Sequence, residues 1–398
     1  MKSFVYKMLF ACCALTPAVH GFSLFDTAPP IGVPESYAMR YNAYVNVGYD
    51  DNINYSVVNK KSGGFVRFGV GASYADNESA TRLSYNVRLG AQLYNDTAYG
   101  TDDRLFSDIS VGARLYKALD RGSSYSCSLS LSYTPQPDYA NPISRIDVQS
   151  DCLNWNLSNI YSQAIDERWS WNISLAYSGN IYGNENYYSD DRQYLSGGFG
   201  VKYKASPLTT YGITSRYSYE FREYGMDSES LYLTGDVSHA LSPISSCSLS
   251  LGTQLKFIDG SSDLYPYLSA SYRRQLAEGL SATAYARFSN ENTDSYSRST
   301  NSTYRSVETW RMGFDCSYAY TPRVSFLFGA YVTYADYGSS TANVGGYDRT
   351  TWAVTCGMNY NFTESLMGTL RYTHTESDDS RYGEYDRNTV SAGLNYSF

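Results

Sequence analysis

The sequence predicts an all-β chain folded as a transmembrane antiparallel up-and-down β-barrel of about 18 strands, and three observations carry that expectation. First, in Trp352 to Phe362, Leu83 to Leu93 and Trp169 to Tyr177 every second residue is apolar or aromatic, while those between are mostly small or polar. That is the period of a strand with one greasy face. Second, such segments run about 9–11 residues, enough for a tilted strand to cross a bilayer core, where soluble strands average about five or six. Third, the breaks alternate in length. Short turns centre on Glu78, Asp120, Asp166, Pro207, Pro243, Glu278, Pro322 and Glu364, and longer polar loops lie between them. Eight turns and nine loops imply about 18 strands with both ends on the short-turn, periplasmic side, and about 16 would also fit.

Composition agrees. Beyond residue 21 no apolar run approaches the ~18–20 residues of a spanning helix. Aromatics at 16% and charged residues at 18% reverse the composition of a disordered chain. A soluble sandwich or propeller also alternates, but with so many strands it would need a second apolar face, and the inward parity supplies only polar, glycine and tyrosine residues.

Taken from the N-terminus, residues 1–21 read as a signal peptide: Lys2 and Lys7, the apolar Met8 to Leu15, and Val19-His20-Gly21 before Phe22. A lipoprotein box at Leu9-Phe10-Ala11-Cys12 competes, with a very short apolar stretch ahead of it. Residues 22–38 carry Pro29, Pro30 and Pro34 and read as a periplasmic lead-in, too short for a transporter plug. Residues 39–398 form the barrel. The net charge of −8 becomes about −10 without Lys2 and Lys7, which argues against nucleic acid as a partner. Cys127, Cys152, Cys247, Cys316 and Cys356 fit neither a disulfide framework nor a zinc site, and no cofactor is expected. Pro266 is the local misfit, and the strand from Leu264 is expected to start irregularly.

The last strand ends Val390, Ala392, Leu394, Tyr396, Phe398 on one face. It resembles the C-terminal signal by which the barrel-assembly machinery recognises outer-membrane proteins, so Phe398, Tyr396 and Leu394 are its expected assembly residues. Val45-Asn46-Val47-Gly48-Tyr49-Asp50-Asp51-Asn52 resembles the first strand and loop of the bacterial β-barrel porin 2 type. The resemblance implies an outer-membrane barrel of porin kind with no fixed substrate, and it alone suggests a polysaccharide-export alternative.

If the apolar parity faces lipid, the other parity lines a lumen. It carries Arg67, Arg82, Arg88, Arg114, Lys202, Lys204, Arg216, Lys256, Arg273, Arg287, Arg311 and Arg371, against chiefly Asp108, Glu220, Asp236 and Asp315. A basic wall in a low-dielectric frame concentrates anions, so the leading expectation is passive diffusion of small hydrophilic solutes, leaning toward anions. The competing reading pairs these cations across the lumen or with acidic loops. A loop folded inward, from Asn180 to Gln193 or Glu291 to Arg305, would reset selectivity. Inward Tyr44, Tyr116, Tyr232, Tyr267, Tyr285 and Tyr331 either fill space or stack on sugar rings. Loop acids at Asp50-Asp51, Asp102-Asp103, Asp190-Asp191 and Asp378-Asp379 read as solvated, with divalent cations bridging lipid phosphates as the sharper alternative. His239 and His374 fall on the lipid parity near opposite rims, and His374-Thr375-Glu376-Ser377 is a thin candidate for nucleophilic catalysis, so no enzyme is expected. The runner-up function is a non-conducting surface barrel whose loops bind a partner or divalent-bridged lipid. A homo-oligomer is compatible with the class, although the lipid parity shows no polar strip from which to argue one.

Overall fold

The computed structural model describes residues 39–53, 57–76, 81–96, 105–119, 122–134, 152–182, 191–222, 227–258, 260–291, 296–297, 302–303, 307–338, 346–381 and 383–398. The expected signal peptide, the expected lead-in and most of the stretches expected as long loops lie outside them. The strands are β1 (Met39–Asp50), β2 (Gly63–Asp76), β3 (Thr81–Tyr94), β4 (Leu105–Ala118), β5 (Ser123–Thr134), β6 (Cys152–Ala164) and β7 (Trp169–Tyr182). They continue as β8 (Arg192–Lys204), β9 (Thr209–Arg222), β10 (Ser228–Ser242), β11 (Ser245–Ile258), β12 (Ser261–Ala277) and β13 (Leu280–Glu291). After the two-residue β14 (Tyr296–Ser297) and β15 (Ser302–Thr303) come β16 (Val307–Thr321), β17 (Val324–Tyr337), β18 (Tyr347–Asn361), β19 (Leu366–Asp379) and β20 (Gly383–Ser397).

All but β14 and β15 belong to one 18-stranded antiparallel sheet in which each strand pairs with its neighbour in the chain. β1 also pairs with β20, from Asn42↔Ser397 to Asp50↔Thr389, and this closes the barrel. At the short-turn rim the seam ends on two main-chain bonds, Tyr41 N–H to Phe398 O at 3.0 Å and Phe398 N–H to Tyr41 O at 2.9 Å. The Phe398 ring stacks between Tyr41 and Tyr396, with centroids at 6.0 and 5.9 Å.

Alternation decides which way each side chain points. Val45, Val47 and Tyr49 on β1, Val66, Phe68 and Val70 on β2, and Leu231 and Leu233 on β10 stay exposed on the outer face. Most of the apolar surface of these strands therefore lies outside, where it matches hydrocarbon. Aromatic side chains band both ends of that face. Trp169 packs on Tyr203 at 4.7 Å and Tyr360 on Phe362 at 4.8 Å near the short turns, and Trp310 packs on Phe288 at 4.6 Å toward the long loops. Cys127, Cys247, Cys316 and Cys356 share the outer parity, Cys152 is buried, and none of the five is in a disulfide.

The short turns reuse one device. Asp166 accepts hydrogen bonds from the N–H groups of Arg168 and Trp169, each at 2.7 Å. Ser206 does the same for Leu208 and Thr209, Thr321 for Arg323 and Val324, and Thr363 for Ser365 and Leu366. A side-chain oxygen at the turn start thus satisfies main-chain donors that the ladder leaves open. The donors from Arg168 and Trp169 hold the Asp166 carboxyl below its ordinary range. Gly279 turns between β12 and β13 at φ +72°, where the Ala319 carbonyl oxygen lies 2.7 Å from the position a Cβ would take.

Strands of 12 to 17 residues exceed the expected length. At about 3.3 Å per residue the surplus carries the wall beyond a bilayer core, and Arg192, within a stretch expected as a loop, stands on a strand. Pro266 is also corrected. β12 runs regularly through it, with Pro266↔Thr253 inside an unbroken ladder to β11. The ladder to β13 is what stops, at Leu268↔Phe288. A proline has no N–H to give, and it is tolerated beside the edge left unpaired.

Candidate functional site

The inner wall is the site, and register fixes its members. Arg67 pairs with Gln92, Arg88 with Ser110, Ser84 with Arg114, and Arg287 with Arg311, so all fall on the parity opposite the exposed apolar residues. Arg82, Lys202, Lys204, Arg216, Lys256, Arg273 and Arg371 share that face by the same alternation.

Height along the barrel separates these cations into two groups. Toward the long loops they meet acids. Arg67 Nε donates to Asp108 Oδ2 at 2.6 Å, and the Tyr44 hydroxyl, three strands away, donates to the same oxygen at 2.9 Å. Arg222 lies 2.8 Å and Arg192 3.9 Å from Glu220 Oε1. Arg349 pairs with Asp379 at 2.7 Å, Arg311 with Glu291, and Arg387 with Asp50. Most of these groups are buried. Toward the short turns the picture reverses: among the described residues Arg82, Arg114, Lys202, Arg273 and Arg371 show no ion pair. Arg88 and Arg216, at mid-height, lie over the rings of Tyr44 and Tyr232 at 5.8 and 4.2 Å, and Arg82 over Tyr116 at 5.8 Å. These tyrosine faces carry guanidinium groups, which leaves them poorly open as sugar platforms.

Glycine makes room for the first cluster. Tyr44 reaches Asp108 by lying flat across β2 and β3, where a Cβ on Gly69 would stand 2.7 Å from its hydroxyl and one on Gly90 nearer still. Gly90→Ala is expected to push Tyr44 off Asp108 and to lower stability by about 1–3 kcal/mol, seen as a lower urea midpoint in vesicles. An unchanged midpoint would contradict this packing.

The end of β13 bends inward where its ladder to β12 stops. Gln254 of β11 reaches past β12, accepts from Asn290 N–H at 3.2 Å and donates to Asn290 O at 2.8 Å, so its amide replaces a strand. Lys256 Nζ donates to Asn290 Oδ1 at 2.7 Å and to Glu291 O at 2.8 Å. Gln254, Lys256 and Asn290 are 1, 2 and 1% exposed, so the end of β13 is packed closely against the wall here.

Two apolar clusters also face inward near the long-loop rim: Ile53, Tyr94 and Phe106 with Phe65, and Val307, Ala335, Tyr337 and Tyr347. They correct the expectation of an inward face without bulky apolar groups. The sequence reading also missed Asp50, Glu291, Asp379 and Arg387, because acids near strand ends read as loop residues. His374 and Ser377 do not meet. His374 faces out, with Nδ1 2.9 Å from Asn388 Oδ1, whereas the Ser377 hydroxyl faces in, 2.9 Å from Thr351 Oγ1. Alternation puts residues three apart on opposite faces, so the pair cannot act as base and nucleophile. His239 bonds Thr209 at 2.8 Å. No group of three or more metal-ligating side chains occurs among the described residues. The candidate constricting loops lie mostly outside the described residues.

Fold and wall together define a closed transmembrane β-barrel with a polar, charged interior. No protein-family model and no curated protein matches the chain. Among solved structures, the outer membrane protein OpdK of Pseudomonas aeruginosa aligns over 90% of this chain and 99% of its own at 10% identity and a TM-score of 0.48. OccK2 (OpdF) of the same organism aligns over 90% and 98% at 13% identity and 0.46, and OccAB2 of Acinetobacter baumannii over 90% and 97% at 10% and 0.45. At these values the likeness is one of overall shape, and the functional reading rests on this chain's own residues.

Proposed function

We propose that this protein is an outer-membrane channel, exported by a cleaved signal peptide, through which small hydrophilic solutes diffuse passively with a preference for anions. The observation that carries the proposal is the axial division of the wall. Most acids of the wall are held in ion pairs near the long-loop rim, and in the half nearer the short turns the cations without ion pairs, Arg82, Arg114, Lys202, Arg273 and Arg371, outnumber the acids Asp236 and Asp315. Barrels of about 16–18 strands are wide enough for water, and a low-dielectric wall focuses the field of uncompensated charge onto the path. The apolar outer face and its aromatic bands support a place in lipid. The Phe398 position, stacked at the closing seam, supports its role with Tyr396 and Leu394 as the signal read by the assembly machinery.

The test is single-channel recording. The mature protein, refolded and inserted into a planar bilayer in KCl, is expected to give discrete open steps. A folded barrel that inserts and never conducts would overturn the channel and turn attention to a surface protein acting through its loops.

A further inference from the structure

Two arginines stand directly opposite each other on neighbouring strands of the inner wall, Arg287 on β13 and Arg311 on β16. Like charges in register on one face repel at about 5 Å between Cβ atoms, and a wall under no demand to bind would not place them so. Arg311 has one partner, the Glu291 carboxylate. Among the described residues Arg287 has no ion pair and lies over the Tyr267 ring at 5.8 Å. The Nε–H of each arginine is buried without a hydrogen-bond partner, and so is the amide Nδ2 of Asn290, a residue only 1% exposed. Lys256, the third cation here, gives its protons to neutral oxygens, Asn290 Oδ1 and Glu291 O. This side of the lumen therefore holds Arg287, Arg311 and the buried Lys256 with a single ion-paired carboxylate and an excess of unmet N–H donors. Arg311 keeps 23% of its side chain open.

We propose that Arg287 and Arg311, backed by Lys256 and Asn290, form an oxyanion subsite for the phosphate group of a small solute, which rests on the reading of the barrel as an anion-leaning channel. Two arginines rooted directly opposite each other on the wall suit an oxyanion with several acceptor oxygens, because a guanidinium fork holds such a group through paired N–H bonds. The charge excess favours a dianion over a monoanion.

The experiment is equilibrium binding to the refolded full-length mature barrel in detergent, with inorganic phosphate as the probe and its phosphorus resonance as the readout, so no conductance is needed. The wild-type barrel is expected to broaden the phosphate signal saturably, and acetate at equal concentration to compete poorly. Arg287→Gln, which leaves the Arg311–Glu291 pair intact and so keeps the fold, is expected to weaken phosphate binding by at least tenfold. Arg287→Lys, with the charge but without the fork, is expected to fall between. Absence of saturable binding by the wild type, equal binding by Arg287→Gln, or acetate competing as well as phosphate would each overturn the subsite. Phosphate binding by a barrel that passes no current would sustain the subsite while removing the channel, so the two failures are distinguishable.

Discussion

Arg387→Ala is expected to cost about 3–5 kcal/mol, more than any other single change on the wall. Its guanidinium grips Asp50 through Nε, 3.0 Å from each carboxylate oxygen, and through Nη2. Asp50 is fully buried, so truncating the arginine strands a carboxylate away from water. The pair also joins β1 to β20, the strands that close the barrel. Next to it Asp51 accepts from the N–H and the amide of Asn388 at 2.6 and 2.7 Å, and Lys60 pairs with Asp386. The expected result is a markedly lower urea midpoint in vesicles, together with loss of the compact, heat-sensitive band on gels at lower temperature. Adding Asp50→Asn to Arg387→Ala is expected to recover much of the loss, because the stranded charge goes with it. A single variant as stable as the wild type would show that the seam does not depend on this pair.

The second large effect concerns selectivity. Replacing Arg82, Arg114, Arg273 and Arg371 together by glutamine is expected to lower the chloride-to-potassium permeability ratio severalfold, to near one, with little change in stability. None of the four has an ion pair among the described residues, so their removal leaves no acid stranded. Their influence on ions comes from uncompensated charge and weakens at high salt, since the screening length falls to about 3 Å at 1 M. Arg311 and Arg67 are poorer targets, because each already neutralises an acid.

Much of this was legible in the sequence, for reasons that differ by level. Strand count and turn positions follow from a period of two, which is strict once the register is set. Glu364, for example, marks a turn because Phe362 and Leu366 bracket it on the same face. Ion pairing was not legible. Arg67 meets Asp108 from two strands away and Arg387 meets Asp50 across the closing seam, contacts set by barrel curvature that parity does not encode. The inward bend of β13 was half visible. Pro266 marked the place, but which neighbouring strand would leave depended on Gln254 and Lys256 being able to hold Asn290.

The measurement that tests the central claim most directly is the reversal potential of single channels across a KCl gradient, with the wild type beside the four-glutamine variant. The account expects the wild type to reverse on the chloride side of zero and the variant close to zero. A wild-type channel that reverses on the potassium side, or a variant that reverses where the wild type does, would contradict a wall whose unpaired cations choose the ion.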